Sequence, residues 1–258
     1  MSELKDKVAI VTGAGRGIGR GIALRYGAEG MKVIVASRTK ATVDKVVEEI
    51  VANGGVARGL SCDVGYKDQL QAVVDQTIDA FGRIDVLVNN AQGFGTEKAP
   101  AGSPVTTPLE DYDDEQWEYS FRTGATATLW AMKAVFPHMK KQGGGRIINF
   151  GSEYGVVGWE GAAAYNATKE AIRALTRTAA REWGRHGVNV NCINPVVLTE
   201  GAKSTGYDPD TVAQTIPLRR WGDPFKDAGG LAVFLASENS SFLTGMTFPL
   251  DGGLAMRP

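Results

Sequence analysis

The segment VAIVTGAGRGIGRGIALRYGAE, residues 8–29, joins a short β-branched run to a glycine-rich turn and then to a helical pattern. Val8–Val11 is typical of a buried strand, and apolar residues recur with helical spacing within Gly17–Glu29. Glycines allow backbone N–H groups to approach a phosphate at the positively polarised start of a helix. A glycine-rich turn is often only a turn, but its position directly after the first strand favours nucleotide binding. The spacing here is Gly13-x-x-x-Gly17-x-Gly19.

The rest of the chain repeats this alternation of strand and helix. Further strands are predicted at Lys32–Ser37, Val56–Cys62, Ile84–Asn89, Arg146–Phe150, Val188–Asn194 and Met246–Leu250. Helices are predicted at Lys40–Asn53, Tyr66–Phe81, Trp117–Met139, Ala162–Arg185 and Asp227–Ser237. Such alternation indicates βαβ units and a parallel sheet. No linker or internal repeat divides the 258 residues, so we expect a single α/β domain over 1–258, with a functional loop at about 195–221.

Composition limits the classes of partner. The chain has 28 basic and 29 acidic residues, interspersed, and a net charge of −1, which gives no basic patch for nucleic acid. No apolar run reaches membrane-spanning length, and the start lacks the apolar region of a signal peptide. Cys62 and Cys192 lack metal-ligand spacing, and the chain has only two histidines. We therefore expect a soluble cytoplasmic protein without a metal site.

A second informative stretch is GSEYGVVGWEGAAAYNATK, residues 151–169. Lys169 follows Tyr165 by four residues, so on a helix the two side chains point the same way. Ser152 ends the preceding strand-like run and can meet them from that side. A phenol has a pKa of about 10, and a nearby ammonium lowers it towards neutrality. A Tyr-x-x-x-Lys pair is common by chance, so it gains weight only from other motifs.

Taken together, the motifs resemble those of the short-chain dehydrogenase/reductase family, from Val8 to Gly253. The resemblance rests on Thr12-Gly13-x-x-x-Gly17-x-Gly19, Asp63, Asn89-Asn90-Ala91, Ser152, Tyr165-x-x-x-Lys169, Asn194-Pro195 with Thr199, and Thr244-Gly245…Asp251-Gly252-Gly253. It implies a single-domain, doubly wound Rossmann fold, with a seven-stranded parallel sheet in the order 3-2-1-4-5-6-7 and helices on both faces. It also implies a homotetramer or dimer, paired through the helices at Trp117–Lys141 and Ala162–Arg185.

The resemblance also implies a set of cofactor contacts. These residues are Gly13, Arg16, Gly17, Ile18, Gly19, Ser37, Arg38, Asp63, Val64, Asn90, Ala91, Tyr165, Lys169, Pro195 and Thr199. The backbone of Gly13–Gly19 would hold the dinucleotide pyrophosphate. Asp63 would accept from the adenine amine, Asn89–Ala91 would line the adenosine ribose, and Thr199 would meet the nicotinamide carboxamide.

For catalysis, the resemblance implies that Tyr165 is the general acid/base. Ser152 would hydrogen-bond the substrate oxygen. Lys169 would bind the nicotinamide ribose and lower the pKa of Tyr165. The physics agrees, because an alcohol oxygen must lose its proton as hydride leaves the carbon, and a phenolate within hydrogen-bond reach can take that proton.

The end of the second predicted strand bears on cofactor choice. Enzymes that prefer NAD usually place a carboxylate there for the ribose 2′-hydroxyl. Here the residues are Ser37 and Arg38, and the next acid, Asp44, lies inside a predicted helix. A guanidinium binds a 2′-phosphate through paired donors, and Arg16 can add a second charge. We therefore predict NADP, with NAD as the alternative if Arg38 is only an ordinary exposed arginine.

Three positions depart from the family pattern near the expected nicotinamide. Gly124 stands where the family has asparagine, and Gln92 and Val196 stand where it has glycine. One hypothesis is that Gly124 preserves a helix irregularity and that its carbonyl still holds a water near Lys169. The rival hypothesis is a catalytically weakened NADP-binding or scaffold protein.

The predicted substrate site consists of Gln92, Tyr154, Trp159 and Val196, covered by residues 201–221. For Trp159, packing in the core or at a subunit contact is an equally good reading. Apolar walls favour a ketone or secondary alcohol of moderate size with apolar substituents. The sequence therefore predicts an NADP(H)-dependent oxidoreductase that interconverts a carbonyl group and a secondary alcohol.

Overall fold

The computed structural model describes residues 3–203 and 208–256. The main sheet contains β1 (Val8–Thr12), β2 (Lys32–Ser37), β3 (Val56–Ser61), β4 (Val86–Asn89), β5 (Gly145–Phe150), β6 (Val188–Pro195) and β7 (Thr247–Leu250). Its seven strands are all parallel and run in the order β3-β2-β1-β4-β5-β6-β7. The predicted fold and strand order are confirmed. In β1 every residue is buried, as expected for a parallel strand covered on both faces.

Helices cover both faces of this sheet. They are α1 (Gly17–Ala28), α2 (Lys40–Ala52), α3 (Lys67–Phe81), α4 (Asp114–Phe121), α5 (Ala127–Lys141), α6 (Glu153–Val157), α7 (Ala163–Trp183), α8 (Glu200–Lys203), α9 (Pro209–Thr215) and α10 (Gly229–Ala236). Successive β1 side chains enter different cores, because a strand alternates its faces. Ala9 and Val11 pack with α1, α2 and α10, whereas Ile10 packs with α3, α5 and α7.

The long helix predicted at Trp117–Met139 differs from expectation in two ways. It starts earlier, at Asp114, where the Asp113 side chain caps it by accepting from the backbone N–H of Glu115 at 2.7 Å. It is also interrupted by a π-helical segment, Arg122–Thr126, between α4 and α5. This segment contains Gly124, and such single π turns are frequent at functional sites. The helix irregularity expected around Gly124 is therefore present.

Two irregular stretches meet above the carboxyl ends of the strands. The segment after β4 forms a short antiparallel pair, Phe94–Gly95 with Pro100–Ala101. The predicted loop at 195–221 contains α8 and α9, and its residues 204–207 lie outside the described ones. A Cβ placed on Gly201 would lie 2.8 Å from the carbonyl oxygen of Gly102, so the two stretches touch. In the described part of the chain, no helix is both long and apolar enough to cross a membrane.

Candidate active site

The glycine turn between β1 and α1 is tightly closed. Gly13 and Gly17 have φ angles of 65° and 56°, in the left-handed region that side chains rarely adopt. A Cβ on Gly19 would lie 2.5 Å from Nδ2 of Asn90 and 2.6 Å from the carbonyl oxygen of Gly13. Both distances are far below an ordinary carbon contact. The turn therefore requires glycine at position 19.

The segment after β4 is attached to this turn through Thr12. The Thr12 hydroxyl oxygen accepts from the backbone N–H groups of Asn90 and Ala91 at 3.1 and 3.2 Å. The Asn90 side-chain amide donates to the Thr12 carbonyl at 3.0 Å. Asn90 and Ala91 therefore lie beside the glycine turn, where the family resemblance places a ribose.

The start of α1 is suited to a phosphate. Among the described residues, the N-cap Arg16 makes no side-chain capping bond, and the first turn of α1 carries no acidic residue. Unsatisfied N–H groups and the helix dipole together favour an anion at such an end. Thr199 reaches the same place, because a Cβ on Gly17 would lie 3.4 Å from Cγ2 of Thr199. These residues fit a bound dinucleotide pyrophosphate.

The end of β2 lies next to the turn, as cofactor binding requires. The Ser37 hydroxyl oxygen lies 3.3 Å from the position that a Cβ on Gly15 would take. Arg38 follows on the surface, and its guanidinium donates to the Tyr119 hydroxyl at 3.0 Å. Asp63, after β3, accepts from the backbone N–H of Gly65 at 2.9 Å, and Val64 lies beside it.

The three predicted catalytic side chains are brought together between β5 and α7. Ser152 follows β5 and is buried, and its hydroxyl hydrogen-bonds the Tyr165 side chain. The ammonium of Lys169 lies 5.4 Å from the Tyr165 ring centroid. It donates to the Phe150 carbonyl oxygen at 3.0 Å. The i, i+4 spacing on α7 and the end of β5 produce this arrangement.

Burial controls the protonation of the pair. Burial raises the pKa of Tyr165 to about 12, against a lowering by the Ser152 hydrogen bond. Burial also lowers the pKa of Lys169 to about 8. The expected lowering of the Tyr165 pKa by Lys169 is not found. The reason is that desolvation of the phenolate dominates, while the ammonium is directed at the Phe150 carbonyl.

The Lys169 shift predicts a pH-dependent stability. With a folded pKa of about 8 and an ordinary unfolded value, the unfolded chain binds more protons above pH 8, so this group adds stability as pH rises. Between pH 7 and pH 9 this group should raise the unfolding free energy of the wild type by about 1 kcal/mol, and Lys169→Met should lack that rise. Urea unfolding at each pH measures this difference. Lys141→Met removes a surface ammonium but keeps Lys169, so its unfolding free energy should rise with pH as in the wild type; an equal pH dependence in both variants would contradict the expectation.

Aromatic rings line the approach to Tyr165. Tyr154 stacks on Trp159 with centroids 5.0 Å apart and meets the Tyr165 ring edge-on at 6.2 Å. Trp159 is 48% exposed, so the alternative that it packs in the core is wrong. Its role at a substrate or at a subunit contact stays a prediction. Phe94 lies on the other side, 5.5 Å from the Tyr165 centroid.

The segment that carries Phe94 was not predicted as part of the site. It borders a small cleft with Val105, Tyr112 and Tyr165. The backbone N–H of Thr107 donates to the Gly161 carbonyl at 2.9 Å, which holds this segment over the start of α7. Pro100, Pro104 and Pro108 favour a loop in this segment, but no local pattern shows where such a loop would lie.

The two remaining predicted substrate residues are engaged with the protein itself. The Val196 backbone, next to Pro195, donates to the Leu250 carbonyl at 2.8 Å and accepts from the Gly222 N–H at 3.1 Å. The Gln92 side-chain amide donates to the carbonyl of Gly93 at 2.9 Å. Its oxygen is turned towards Gly124.

Comparison with known proteins agrees with this geometry. A family model described as short chain dehydrogenase matches residues 7–209. The chain is 38% identical to a 3-oxoacyl-[acyl-carrier-protein] reductase of Synechocystis sp., over 99% of this chain and 100% of that protein. It is 34% identical to a 12alpha-hydroxysteroid dehydrogenase of Clostridium sp., over the full length of both.

The fold agrees with a solved relative as well. The crystal structure of 3-ketoacyl-(acyl-carrier-protein) reductase from Brucella melitensis, complexed with NADH, superposes with a TM-score of 0.88 at 28% identity. The match covers 98% of this chain and 100% of that one. With the glycine turn and the Ser152, Tyr165 and Lys169 group, these findings show that the chain belongs to the short-chain dehydrogenase/reductase family of NAD(P)-dependent oxidoreductases acting on CH–OH groups.

Proposed function

We propose that the protein interconverts a ketone and a secondary alcohol with NADP(H), and that Tyr165 is the general acid/base. The observation that carries this proposal is the meeting of Ser152, Tyr165 and Lys169 between the end of β5 and α7. Phosphate binding alone requires none of these three side chains. Their presence together is therefore better explained by proton transfer to and from a substrate oxygen.

When bound, the nicotinamide donates or accepts the hydride. The protein aligns the substrate and moves the proton. The Ser152 hydroxyl holds the substrate oxygen, and Tyr165 gives its proton to that oxygen in reduction or takes it in oxidation. Because its pKa is about 12, Tyr165 is a neutral phenol near neutral pH, the form needed to donate. In this form Tyr165 can give its proton to the oxygen of a ketone that is being reduced.

The walls of the site support an apolar substrate. Tyr154, Trp159 and Phe94 present aromatic surface around Tyr165, and Val105 adds an aliphatic side chain. Such walls suit a ketone of moderate size with apolar substituents. Assays of wild-type protein with NADPH and a panel of ketones test this class. A panel in which only small charged hydroxyacids react would refute it.

The choice of NADP rests on the groups at the end of β2. Arg38 is anchored by Tyr119, and Arg16 lies exposed in the glycine turn. The next acid along the sequence, Asp44, is paired with Lys40 at 2.6 Å on the surface of α2. A bidentate guanidinium suits a 2′-phosphate, whereas no carboxylate follows β2 directly to accept from a 2′-hydroxyl.

We expect the wild type to prefer NADPH over NADH. Arg38→Ala should lower kcat/KM for NADPH about tenfold, because a charge-assisted hydrogen bond to the 2′-phosphate is lost. The same substitution should change kcat/KM for NADH little. Steady-state kinetics with both cofactors measure the preference. Arg58→Ala is the matched control, since Arg58 is an exposed arginine of β3. A clear preference of the wild type for NADH would refute the proposal that Arg38 selects NADP.

The assembly and location stay predictions. Trp117 on α4 and Leu129 on α5 are 42% and 37% exposed, which supports a homodimer or homotetramer paired through the helices predicted at Trp117–Lys141 and Ala162–Arg185.

A further inference from the structure

Two of the three departures from the family pattern are in contact with each other. A Cβ on Gly124 would lie 2.5 Å from Oε1 of Gln92 and 2.3 Å from Cγ2 of Thr168. Real Cβ atoms do not approach other atoms so closely. The Gln92 side chain therefore occupies the space that any side chain at position 124 would need.

The Gln92 amide is held firmly on one side only. Its Nε2 donates to the carbonyl oxygens of Gly93 at 2.9 Å and Ser120 at 3.2 Å. Its Oε1 is buried and has no hydrogen-bond partner among the described residues. A buried amide oxygen without a donor costs free energy, so native proteins satisfy nearly all of them with protein groups or ordered water. The geometry calls for a donor at this oxygen.

The Gln92 Oε1 atom lies close to the part of α7 that carries Lys169. Thr168, which meets the same point beside Gly124, immediately precedes Lys169 on α7. The Ser120 and Thr168 hydroxyls are 3.3 Å apart and buried, so α4 and α7 are in direct contact here. Two residues after Gln92, Phe94 packs against the Tyr165 ring. The amide therefore lies between the π-helical segment and the turn of α7 that carries the acid/base pair.

Proton transfer by Tyr165 requires a path by which protons reach it from solvent. For each ketone reduced, Tyr165 gives one proton to the substrate oxygen and must regain one proton from solvent. Lys169 is its ionisable neighbour on α7, and it is only 3% exposed. A buried ammonium exchanges protons with solvent through ordered water, and a water held in place needs polar partners.

We propose that Gln92 is a positioning residue for this proton transfer, because its Oε1 replaces a side chain at position 124 and orients a water that connects Lys169 with solvent. The water donates one hydrogen bond to Oε1 and passes its other proton towards Lys169, which returns a proton to Tyr165. One proton enters from solvent for each proton given to the substrate. The inference rests on the proposed function of Tyr165 and Lys169.

The decisive variants are Gln92→Met and the double variant Gln92→Gly/Gly124→Asn. Methionine keeps the volume but removes the amide, so we expect kcat to fall about tenfold, as for other residues that orient catalytic groups. KM and NADPH affinity should stay within about twofold, while the pH profile of kcat shifts and the solvent isotope effect grows. Gly124→Asn alone should also lower kcat, because asparagine collides with Gln92. The double variant should recover most of the wild-type kcat.

Gln142→Met is the matched control. Gln142 also donates to two backbone carbonyls, of Ile84 at 2.6 Å and Gly144 at 3.0 Å, but at the opposite end of the sheet. Its replacement should leave kcat and the pH profile unchanged. If the double variant does not fold, rescue of Gln92→Met by added imidazole, a soluble proton carrier, provides the second readout.

Any of the following results would overturn the inference. The first is an unchanged kcat and pH profile in Gln92→Met, and the second is a rise in kcat in Gly124→Asn alone. The third is a folded double variant that is as slow as Gln92→Met or, where the double variant does not fold, a Gln92→Met protein that imidazole does not rescue. The Tyr165→Phe variant distinguishes a failure of the Gln92 role from a failure of the proposed function. If Tyr165→Phe is inactive while Gln92→Met is fully active, only the role of Gln92 fails. If Tyr165→Phe is fully active, the proposed function itself fails.

Discussion

Tyr165→Phe is expected to lower kcat about a thousandfold, because it removes the group that exchanges a proton with the substrate oxygen. Phenylalanine keeps the ring that packs against Phe94 and Tyr154, so the site should keep its shape. The glycine turn is untouched, and the affinity for NADPH should remain close to that of the wild type. The loss therefore appears in kcat and not in cofactor binding.

Stopped-flow or steady-state assays with a ketone found active for the wild type measure kcat, and fluorescence titration measures NADPH affinity. Tyr26→Phe is the control, since Tyr26 is a buried tyrosine whose hydroxyl donates to the Ala232 carbonyl at 3.1 Å, away from the site. It should lose stability but keep kcat. A Tyr165→Phe protein that keeps its rate would exclude the acid/base role. A wild type that binds NADPH but reduces no ketone would favour the binding-protein alternative.

Gly19→Ala is expected to weaken NADPH binding about a hundredfold, because the added methyl group has no room. Its Cβ would lie 2.5 Å from the Asn90 amide nitrogen and 2.6 Å from the Gly13 carbonyl oxygen. Either the glycine turn or the segment after β4 must move to admit it. Both line the proposed pyrophosphate and ribose sites, so the movement reaches the cofactor directly.

Isothermal titration of NADPH measures the loss, and near-ultraviolet circular dichroism shows whether the fold persists. Gly184→Ala is the control, because a Cβ there meets open space and the residue already has helical backbone angles. Its affinity should match that of the wild type. An unchanged affinity in a folded Gly19→Ala protein would mean that the cofactor does not bind against this turn.

The central strands β1, β2 and β4 were predictable because they are mostly apolar runs bounded by glycine or polar residues. The strand expected at Val8–Val11 extends by one residue to Thr12, whose hydroxyl organises the segment after β4. The strand expected at Ile84–Asn89 begins only at Val86. Apolar character alone does not separate residues that pair in a sheet from residues that precede it.

The sequence by itself determined the βαβ alternation, the glycine turn after β1 and the shared face of Tyr165 and Lys169, because each depends on spacing within one or two adjacent elements. Only the tertiary structure decided that the segment from Phe94 to Tyr112 lies over the site, that Gln92 occupies the space beside Gly124, and that burial raises the pKa of Tyr165. These features arise from contacts between distant segments and from the exclusion of water, which depend on how the elements pack and not on any local pattern.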